Sequence, residues 1–482
     1  MSAKEIFNKV SITGLTADSR QVKAGYLFAA IPGTTVDGAK FIPDAIKAGA
    51  TAILANADVT ADDLPDGIHL ITDSNPRRRL AKQAAQFYAP QPGTVVAVTG
   101  TNGKTSVADF TRQLWTALKT PAASIGTLGL VTNLADNTKM SGLTTPDPVE
   151  LHATLGELKD NGIDNIAMEA SSHGLDMYRL DGVSFTAAAF TNLSRDHLDY
   201  HGGMEAYRAA KLRLFEELLA TGGTAVVNSG AAEFDLIANI ANERKQRVIA
   251  YGLANGQIRC IKADTRPSGF HLELDVMGER FDVDFPLPGR FQIENALCAL
   301  GLVMACGAEA AQVVPHLSNL RGVRGRMERV AVLPNGAAVY VDFAHTPDAL
   351  ETVLKSVRPH VQNKLHVVFG CGGDRDPGKR PMMGRTCHDF ADVQIVTDDN
   401  PRSEDPAHIR AATMEGCPGG IEVASRREAI RTGLKGLQAG DVLVVAGKGH
   451  EQGQIVGEKV LPFDDASVVR EEVKALGLED GQ

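Results

Sequence analysis

The chain has 482 residues, with 49 Lys plus Arg against 59 Asp plus Glu and a formal net charge of −10. At about 100 to 200 residues per domain this length exceeds a single core and predicts three domains. The acidic balance argues against a surface built for nucleic acid or an anionic membrane, so an anionic ligand has to be held by a local site. Hydrophobic residues make up 43% and charged residues 22%, the proportions of a folded globular chain. The opening Met-Ser-Ala-Lys-Glu-Ile-Phe-Asn-Lys-Val holds no apolar signal core, and no stretch approaches the ~20 apolar residues of a membrane span. A cytoplasmic protein is expected. The six cysteines form no Cys-x-x-Cys pair, which predicts inert thiols and no zinc site.

In chain order, Ser74-Asn-Pro-Arg-Arg-Arg-Leu80 reads as a helix start with Pro76 in the first turn. Leu80, Ala84 and Phe87 continue at helical spacing until Pro90-Gln-Pro-Gly93 stops the helix and marks the first domain boundary. Thr94-Val-Val-Ala-Val98 is a β-branched run consistent with a buried parallel strand. It feeds into Gly100, Thr101, Asn102, Gly103, Lys104, Thr105 and Ser106, and a helix follows with Val107, Phe110, Leu114 and Leu118 on one face. Between a strand and a helix, successive backbone N–H groups and the helix N-terminus can cradle a phosphate chain. Lys104 is placed to reach the β- and γ-phosphates and Thr105 to ligate Mg²⁺. The general phosphate-loop pattern has Gly where this chain has Val98.

Asp164-Asn-Ile-Ala-Met168 reads as a second strand, putting Glu169 at a strand end where a further Mg²⁺ ligand is needed. Lys211 lies one helical turn after Tyr207. The glycine- and arginine-rich Gly322-Val-Arg-Gly-Arg326 marks a second boundary, after which patterns restart with Ala337-Ala-Val-Tyr-Val341. Leu365-His-Val-Val-Phe369, Val393-Gln-Ile-Val396 and Val442-Leu-Val-Val445 each run into a polar loop. In an open α/β sheet ligands bind at the carboxyl ends of strands, so these loops are expected to line one crevice. The expected fold is α/β throughout. It comprises an N-terminal domain (residues 1–90), a central phosphate-loop ATPase-type domain with a mostly parallel sheet (91–324) and a C-terminal Rossmann-like domain (325–482). A phosphate loop by itself says only that a nucleotide binds, and fits a transport ATPase or a nucleotide switch as well as a ligase.

Further motifs narrow that choice. Thr191-Asn-Leu-Ser-Arg-Asp-His-Leu-Asp199 and His201-Gly-Gly-Met-Glu-Ala-Tyr-Arg-Ala-Ala-Lys211 resemble the Mur ligase family. The resemblance runs from Asp18-Ser-Arg20 to Gly447-Lys-Gly-His-Glu451, and within the family it is to the members that add the third residue of the stem peptide. It implies a ligase that uses ATP to turn a carboxylate into an acyl phosphate, which an amine then attacks. On this resemblance Lys104, Thr105, Glu169 and His197 serve the nucleotide and its metals. Asn295, Arg326, Asp342 and His345 match further nucleotide contacts, and Lys211 matches a lysine that is carbamylated to ligate a second Mg²⁺.

The resemblance also implies the other substrates. The N-terminal domain is expected to hold the uridine end of UDP-N-acetylmuramoyl-Ala-Glu through Ala17, Ser19, Thr34, Thr35 and Val36. Thr144, Thr145, Ser171, Met177, Arg179 and Lys211 match the groups that hold its sugar and peptide, although Leu143 and Met177 stand where polar amides are common. Asp399, Asn400, Pro401 and Arg402 mark the branch that takes meso-diaminopimelate, with Arg375, Gly447 and Glu451 completing the pocket. An Arg fork there suits the distal carboxylate that lysine lacks. The expected partners are small molecules only, with no nucleic acid and no membrane span, and the protein is expected to be a monomer.

Overall fold

Short β-branched or alanine-rich runs alternate with amphipathic helices, and the resulting strands pair mostly in parallel. The structure is a computed structural model that describes residues 11–33, 36–132, 142–266 and 269–478. Thr34 and Thr35 lie outside the described residues. Among the described residues no helix is long and apolar enough to cross a membrane. The chain divides into two compact units, one of residues 1–259 with 295–314, the other of 260–294 with 315–482.

The first unit begins with four strands, β1 (Gly14–Thr16), β2 (Tyr26–Ala29), β3 (Ala52–Ala55) and β4 (His69–Thr72), paired in sequence order and all parallel. Leu80 and Ala84 of the helix Pro76–Phe87 close one face against Leu27, Ala29 and Leu54. That helix starts as expected, with the Asn75 side chain accepting from the Arg78 N–H and Pro76 in the first turn.

A larger sheet follows, built from β5 (Thr94–Thr99), β6 (Ala122–Gly126), β7 (Gly129–Thr132), β8 (Asn165–Glu169), β9 (Phe185–Phe190), β10 (Leu219–Asn228) and β11 (Arg247–Gly252). These strands run in the order β11-β10-β9-β5-β8-β6-β7, and of the pairs among them β6–β7 is antiparallel and the others are parallel. The registers Val98↔Glu169 and Thr99↔Phe190 bring the carboxyl ends of β5, β8 and β9 to one edge. Glu169 is the last residue of β8, and the helix Lys104–Ala117 begins shortly after β5 ends. The helix stops before Leu118 because Lys119 turns left-handed at φ +64°.

β12 (Ile258–Arg266) leads into the second unit, where β13 (Gly269–Val276) and β14 (Glu279–Phe285) form an antiparallel hairpin. The sheet that follows has the order β15-β16-β20-β17-β18-β19. Its strands are β15 (Glu328–Val332), β16 (Ala338–Asp342), β17 (Leu365–Phe369), β18 (Val393–Val396), β19 (Ile421–Glu422) and β20 (Val442–Ala446). All its pairs are parallel except β15–β16. The registers Asp342↔Ala446, Val368↔Val445 and Phe369↔Val396 align the carboxyl ends of four strands. One core face is made by Leu350, Val353 and Leu354 of the helix Pro347–Val357, the other by Ile430 and Leu434 of the helix Arg426–Lys435. A last hairpin, β21 (Gly453–Val456) and β22 (Lys459–Pro462), meets the sheet's loops at Arg402, which bridges to Val456.

Candidate active site

The loop from Gly100 to Thr105 closes through its own backbone and through the segment after β9. Thr101 N–H donates to the Asn192 carbonyl at 2.8 Å, Asn102 N–H to Asn192 Oδ1 at 3.0 Å, and Thr191 Oγ1 to the Asn102 carbonyl at 2.7 Å. Gly103 caps the helix Lys104–Ala117 at φ +89°, so its backbone leads directly into that helix's first turn, the end whose N–H groups and dipole favour an anion. Ser106 is buried in the first turn. Lys104 Nζ donates to the carbonyls of Gly100 and Thr101 at 2.9 and 2.8 Å.

A Cβ on Gly103 would lie 2.4 Å from Asn295 Oδ1, which places Asn295 against the loop. Gly103→Ala combines that clash with a left-handed φ, and is expected to weaken ATP binding at least about tenfold. Titration with a fluorescent ATP analogue checks this, and unchanged affinity would show that the loop tolerates the side chain.

Two lysines converge on the same carbonyl, since Lys211 Nζ also donates to Gly100 O at 2.7 Å. Lys211 is only 1% exposed and sits over the Tyr207 ring, 4.4 Å from its centroid. Burial, helped by the neighbouring Lys104 charge, pushes its amine down from 10.5 to about 6. This is no solvated surface lysine, and its enclosure keeps the amine neutral over most of the physiological range. The Tyr207 hydroxyl in turn lies 3.1 Å from Thr101 Oγ1.

Glu169 is 1% exposed and is held by Thr127, whose N–H donates to Oε1 at 2.7 Å and whose hydroxyl donates to Oε2 at 3.3 Å. Thr127 sits in the tight turn between β6 and β7; nothing in its local sequence singles it out, and only the pairing of β6 with β8 brings it here. Thr105 and Glu169 line one small pocket together with Asp109, Ser124 and Gly126. A Thr hydroxyl and a carboxylate are hard oxygen donors of the kind Mg²⁺ takes beside nucleotide phosphates, so these residues fit the ion. Among the described residues no three His, Cys, Asp or Glu side chains gather as a ready-made metal cluster. His197 is half-exposed at φ +52°, and its ring packs on His173 with centroids 4.9 Å apart.

Around Glu169 stand the groups expected to hold a sugar-peptide. The Thr144 and Thr127 hydroxyls are 3.2 Å apart, Thr145 Oγ1 donates to the Glu169 carbonyl at 2.9 Å, and Thr145 and Ser171 hydroxyls are 3.0 Å apart. Arg179 Nη1 donates to the Thr145 carbonyl at 2.8 Å, while its Nη2 reaches Met177 Sδ at 3.2 Å. Met177 thus serves as a weak acceptor where an amide is common. Leu143 is exposed. Just after β1, Ala17 and Ser19 flank Asp18, which caps the turn Ser19–Gln21. The Arg20 guanidinium 2.8 Å away holds the Asp18 carboxyl down at about 2. Val36 is exposed, its carbonyl accepting from the Gly33 N–H at 3.0 Å.

In the second unit Arg326 stacks on Phe343, 4.5 Å from the ring centroid. Asp342 at the end of β16 is buried, and its oxygens take the N–H groups of Met327 and Ala344 at 2.7 and 2.8 Å. Its carboxyl is raised because burial outweighs the nearby Arg326 and the two N–H bonds. His345 Nδ1 lies 2.8 Å from the Phe343 carbonyl.

The ends of β17, β18 and β20 bring together the residues expected to hold the amino acid. Gly373 N–H donates to the Asn400 carbonyl at 2.9 Å, and Arg402 Nη1 donates to the Gly373 carbonyl at 2.8 Å. Arg402 is left-handed at φ +52° and its N–H donates to the Ile455 carbonyl at 3.1 Å. Arg375 Nη1 reaches the Asp374 carbonyl at 3.2 Å. Asp399 is buried beside Gly447, where a Cβ would lie 2.7 Å from Asp399 Oδ2, and Pro401 is buried in the same loop. Glu451 Oε2 accepts from Asn400 Nδ2 at 3.0 Å and from Lys448 Nζ at 2.9 Å.

Comparison with known proteins finds three family matches in order along the chain. "Mur ligase family, catalytic domain" matches residues 11–89, "Mur ligase middle domain" 98–303 and "Mur ligase, glutamate ligase domain" 325–449. A Caulobacter vibrioides protein named UDP-N-acetylmuramoyl-L-alanyl-D-glutamate–2,6-diaminopimelate ligase is 50% identical over 469 residues, 96% of this chain and 95% of its own length. A Rhizobium meliloti protein of the same name is 50% identical over 475 residues, 97% and 95% of the two chains. A solved structure of a ligase of that name, 35% identical, superimposes with a TM-score of 0.73 over 97% of this chain and 95% of its own. A Mycobacterium tuberculosis folylpolyglutamate synthase complexed with ADP shares the fold at TM-score 0.62, covers 78% of this chain, and is 18% identical. With all three family matches in order and half of its residues shared with such relatives, the chain belongs to the Mur ligase family.

Proposed function

We propose that this protein joins meso-diaminopimelate to UDP-N-acetylmuramoyl-L-alanyl-D-glutamate at the expense of ATP, giving the UDP-muramoyl tripeptide used in peptidoglycan and cell-wall synthesis. The observation that carries the reading is the Asp399-Asn400-Pro401-Arg402 loop seated at the aligned strand ends of a Mur ligase with relatives of that activity. The family matches support three functional domains, at residues 1–90 for the UDP-sugar, 91–324 for ATP and 325–482 for the amino acid.

A carboxylate is a poor electrophile, so the terminal glutamate carboxylate first takes the γ-phosphoryl group of ATP. The acceptor amine then attacks the acyl carbon, and phosphate leaves from the tetrahedral intermediate. Catalysis of such a sequence is mainly positioning and charge neutralisation. The loop backbone from Gly100 to Ser106 receives the phosphate chain, with Lys104 at the β- and γ-phosphates. Asn295, Arg326, Asp342 and His345 complete the nucleotide contacts. Thr105, Glu169, His197 and a carbamylated Lys211 would hold Mg²⁺, which supplies charge neutralisation at the transferring phosphoryl group. Ala17, Ser19, Thr34, Thr35 and Val36 hold the uridine end; Thr144, Thr145, Ser171, Met177, Arg179 and Lys211 hold the sugar and dipeptide. Arg402 takes the distal carboxylate of the acceptor, Glu451 suits its distal ammonium, and Arg375 and Gly447 complete the pocket. The protein acts on small molecules, as a cytoplasmic monomer.

The test is phosphate release with ATP, Mg²⁺ and the UDP-muramoyl dipeptide, comparing meso-diaminopimelate with L-lysine. Release should require both the dipeptide and the acceptor and should favour diaminopimelate by at least about a hundredfold. Equal rates with lysine would refute the role of Arg402. Release without either substrate would mean a simple ATPase.

A further inference from the structure

Lys448 is wholly enclosed beneath the acceptor loop. The turn that sends it inward has glycine on both sides, Gly447 at φ +119° and Gly449 at φ +54°, and a Cβ on Gly449 would lie 2.7 Å from Phe343 Cβ. A buried ammonium is costly unless its hydrogens are satisfied by good partners. Here Nζ donates to Asn400 Oδ1 at 3.0 Å and to Glu451 Oε2 at 2.9 Å, while Asn400 Nδ2 donates to the same Glu451 oxygen at 3.0 Å.

This closed ring of three side chains is pinned from the sides. Asn400 Oδ1 also accepts from the Ile455 N–H at 2.9 Å, and Gln454 Nε2 donates to the Asp399 carbonyl at 2.6 Å. Below it, Arg426 makes a two-pronged pair with Asp465, both bonds 2.7 Å, and donates to the Ala446 carbonyl at 2.9 Å, steadying the strand end from which the turn leaves.

Resting on the acceptor reading above, we infer that Lys448 is a positioning residue for acceptor choice: it fixes Glu451 and Asn400 as one unit and offsets the Glu451 charge. An amino acid that brings only an ammonium to this pocket is then attracted weakly. One that also brings a carboxylate to the Arg402 fork gains a second, charge-assisted contact at a set distance. Removing Lys448 leaves Glu451 with its full charge and a looser position, which favours a plain ammonium and disfavours the matched pair.

The experiment measures kcat/KM for meso-diaminopimelate and for L-lysine in the full-length wild type, Lys448→Met, Glu451→Gln and the double variant. The ratio of the two acceptors should fall at least about tenfold in Lys448→Met, with KM for ATP and for the UDP-muramoyl dipeptide within about twofold of wild type. In the Glu451→Gln background the same substitution should change the ratio less than about twofold, because its effect runs through Glu451. If Lys448→Met does not fold, Lys448→Gln, which keeps a neutral donor, takes its place in the same cycle. An unchanged ratio, or an undiminished effect without Glu451, would overturn the role of Lys448 while leaving the acceptor reading intact. A wild type with no diaminopimelate-dependent release would overturn the acceptor reading and this role together.

Discussion

Replacing Lys211 with methionine is expected to lower diaminopimelate-dependent phosphate release about a thousandfold while the protein stays folded. Methionine fills similar buried space over Tyr207 but can neither donate to Gly100 O nor be carbamylated. A lysine reacts with CO₂ only as the neutral amine, and burial beside Lys104 keeps this one neutral above about pH 6. In ¹³C-bicarbonate the wild type should therefore show a carbamate carbon signal by NMR that the variant lacks. A variant with near wild-type turnover would remove Lys211 from the reaction.

The same burial sets a pH dependence of stability for the unmodified lysine. In the unfolded chain this amine titrates near 10.5, in the fold near about 6. Between those values the unfolded chain binds a proton that the fold excludes. The stability contributed at this position therefore rises as pH increases from about 6 to 10.5, and is lowest below 6. Denaturant titrations of CO₂-free protein across that window should give a shallower slope against pH for Lys211→Met than for wild type.

Substitution of Arg402 by lysine is expected to cost about a hundredfold in kcat/KM for meso-diaminopimelate, although the charge is kept. The backbone at Arg402 is left-handed, tied to Ile455, and one guanidinium nitrogen is occupied by Gly373 O. What remains of the planar fork is what a carboxylate needs, and a lysine ammonium cannot reproduce it. Use of L-lysine should change less than about threefold, because it brings no distal carboxylate. Steady-state kinetics with both acceptors decides the matter: parallel losses for the two would mean that Arg402 shapes the loop rather than reading the substrate.

Much of this architecture is legible in the amino-acid sequence, for local reasons. The helix Pro76–Phe87 announces itself through an Asn-Pro start and regular apolar spacing, and the runs at Leu365, Val393 and Val442 form the expected strands, each opening into a polar loop. The phosphate loop is likewise a strand, a glycine-rich turn and a helix adjacent along the chain. Residues that act through distant partners are not legible in this way. Thr127 gains its importance only because β6 lies beside β8 and delivers it to Glu169. Arg426 and Asp465, both fully buried, look in sequence like ordinary surface charges of two helices.

The reactive groups and the strand ends that carry them are written in the chain itself, because short-range periodicity and turn chemistry settle both. Which of those groups become buried and paired is a matter for the folded molecule. Burial depends on what packs above a residue, and that packing is supplied by chain far away. Lys211 becomes a neutral amine, and Lys448 is enclosed and held by Asn400, because of neighbours their own segments do not contain.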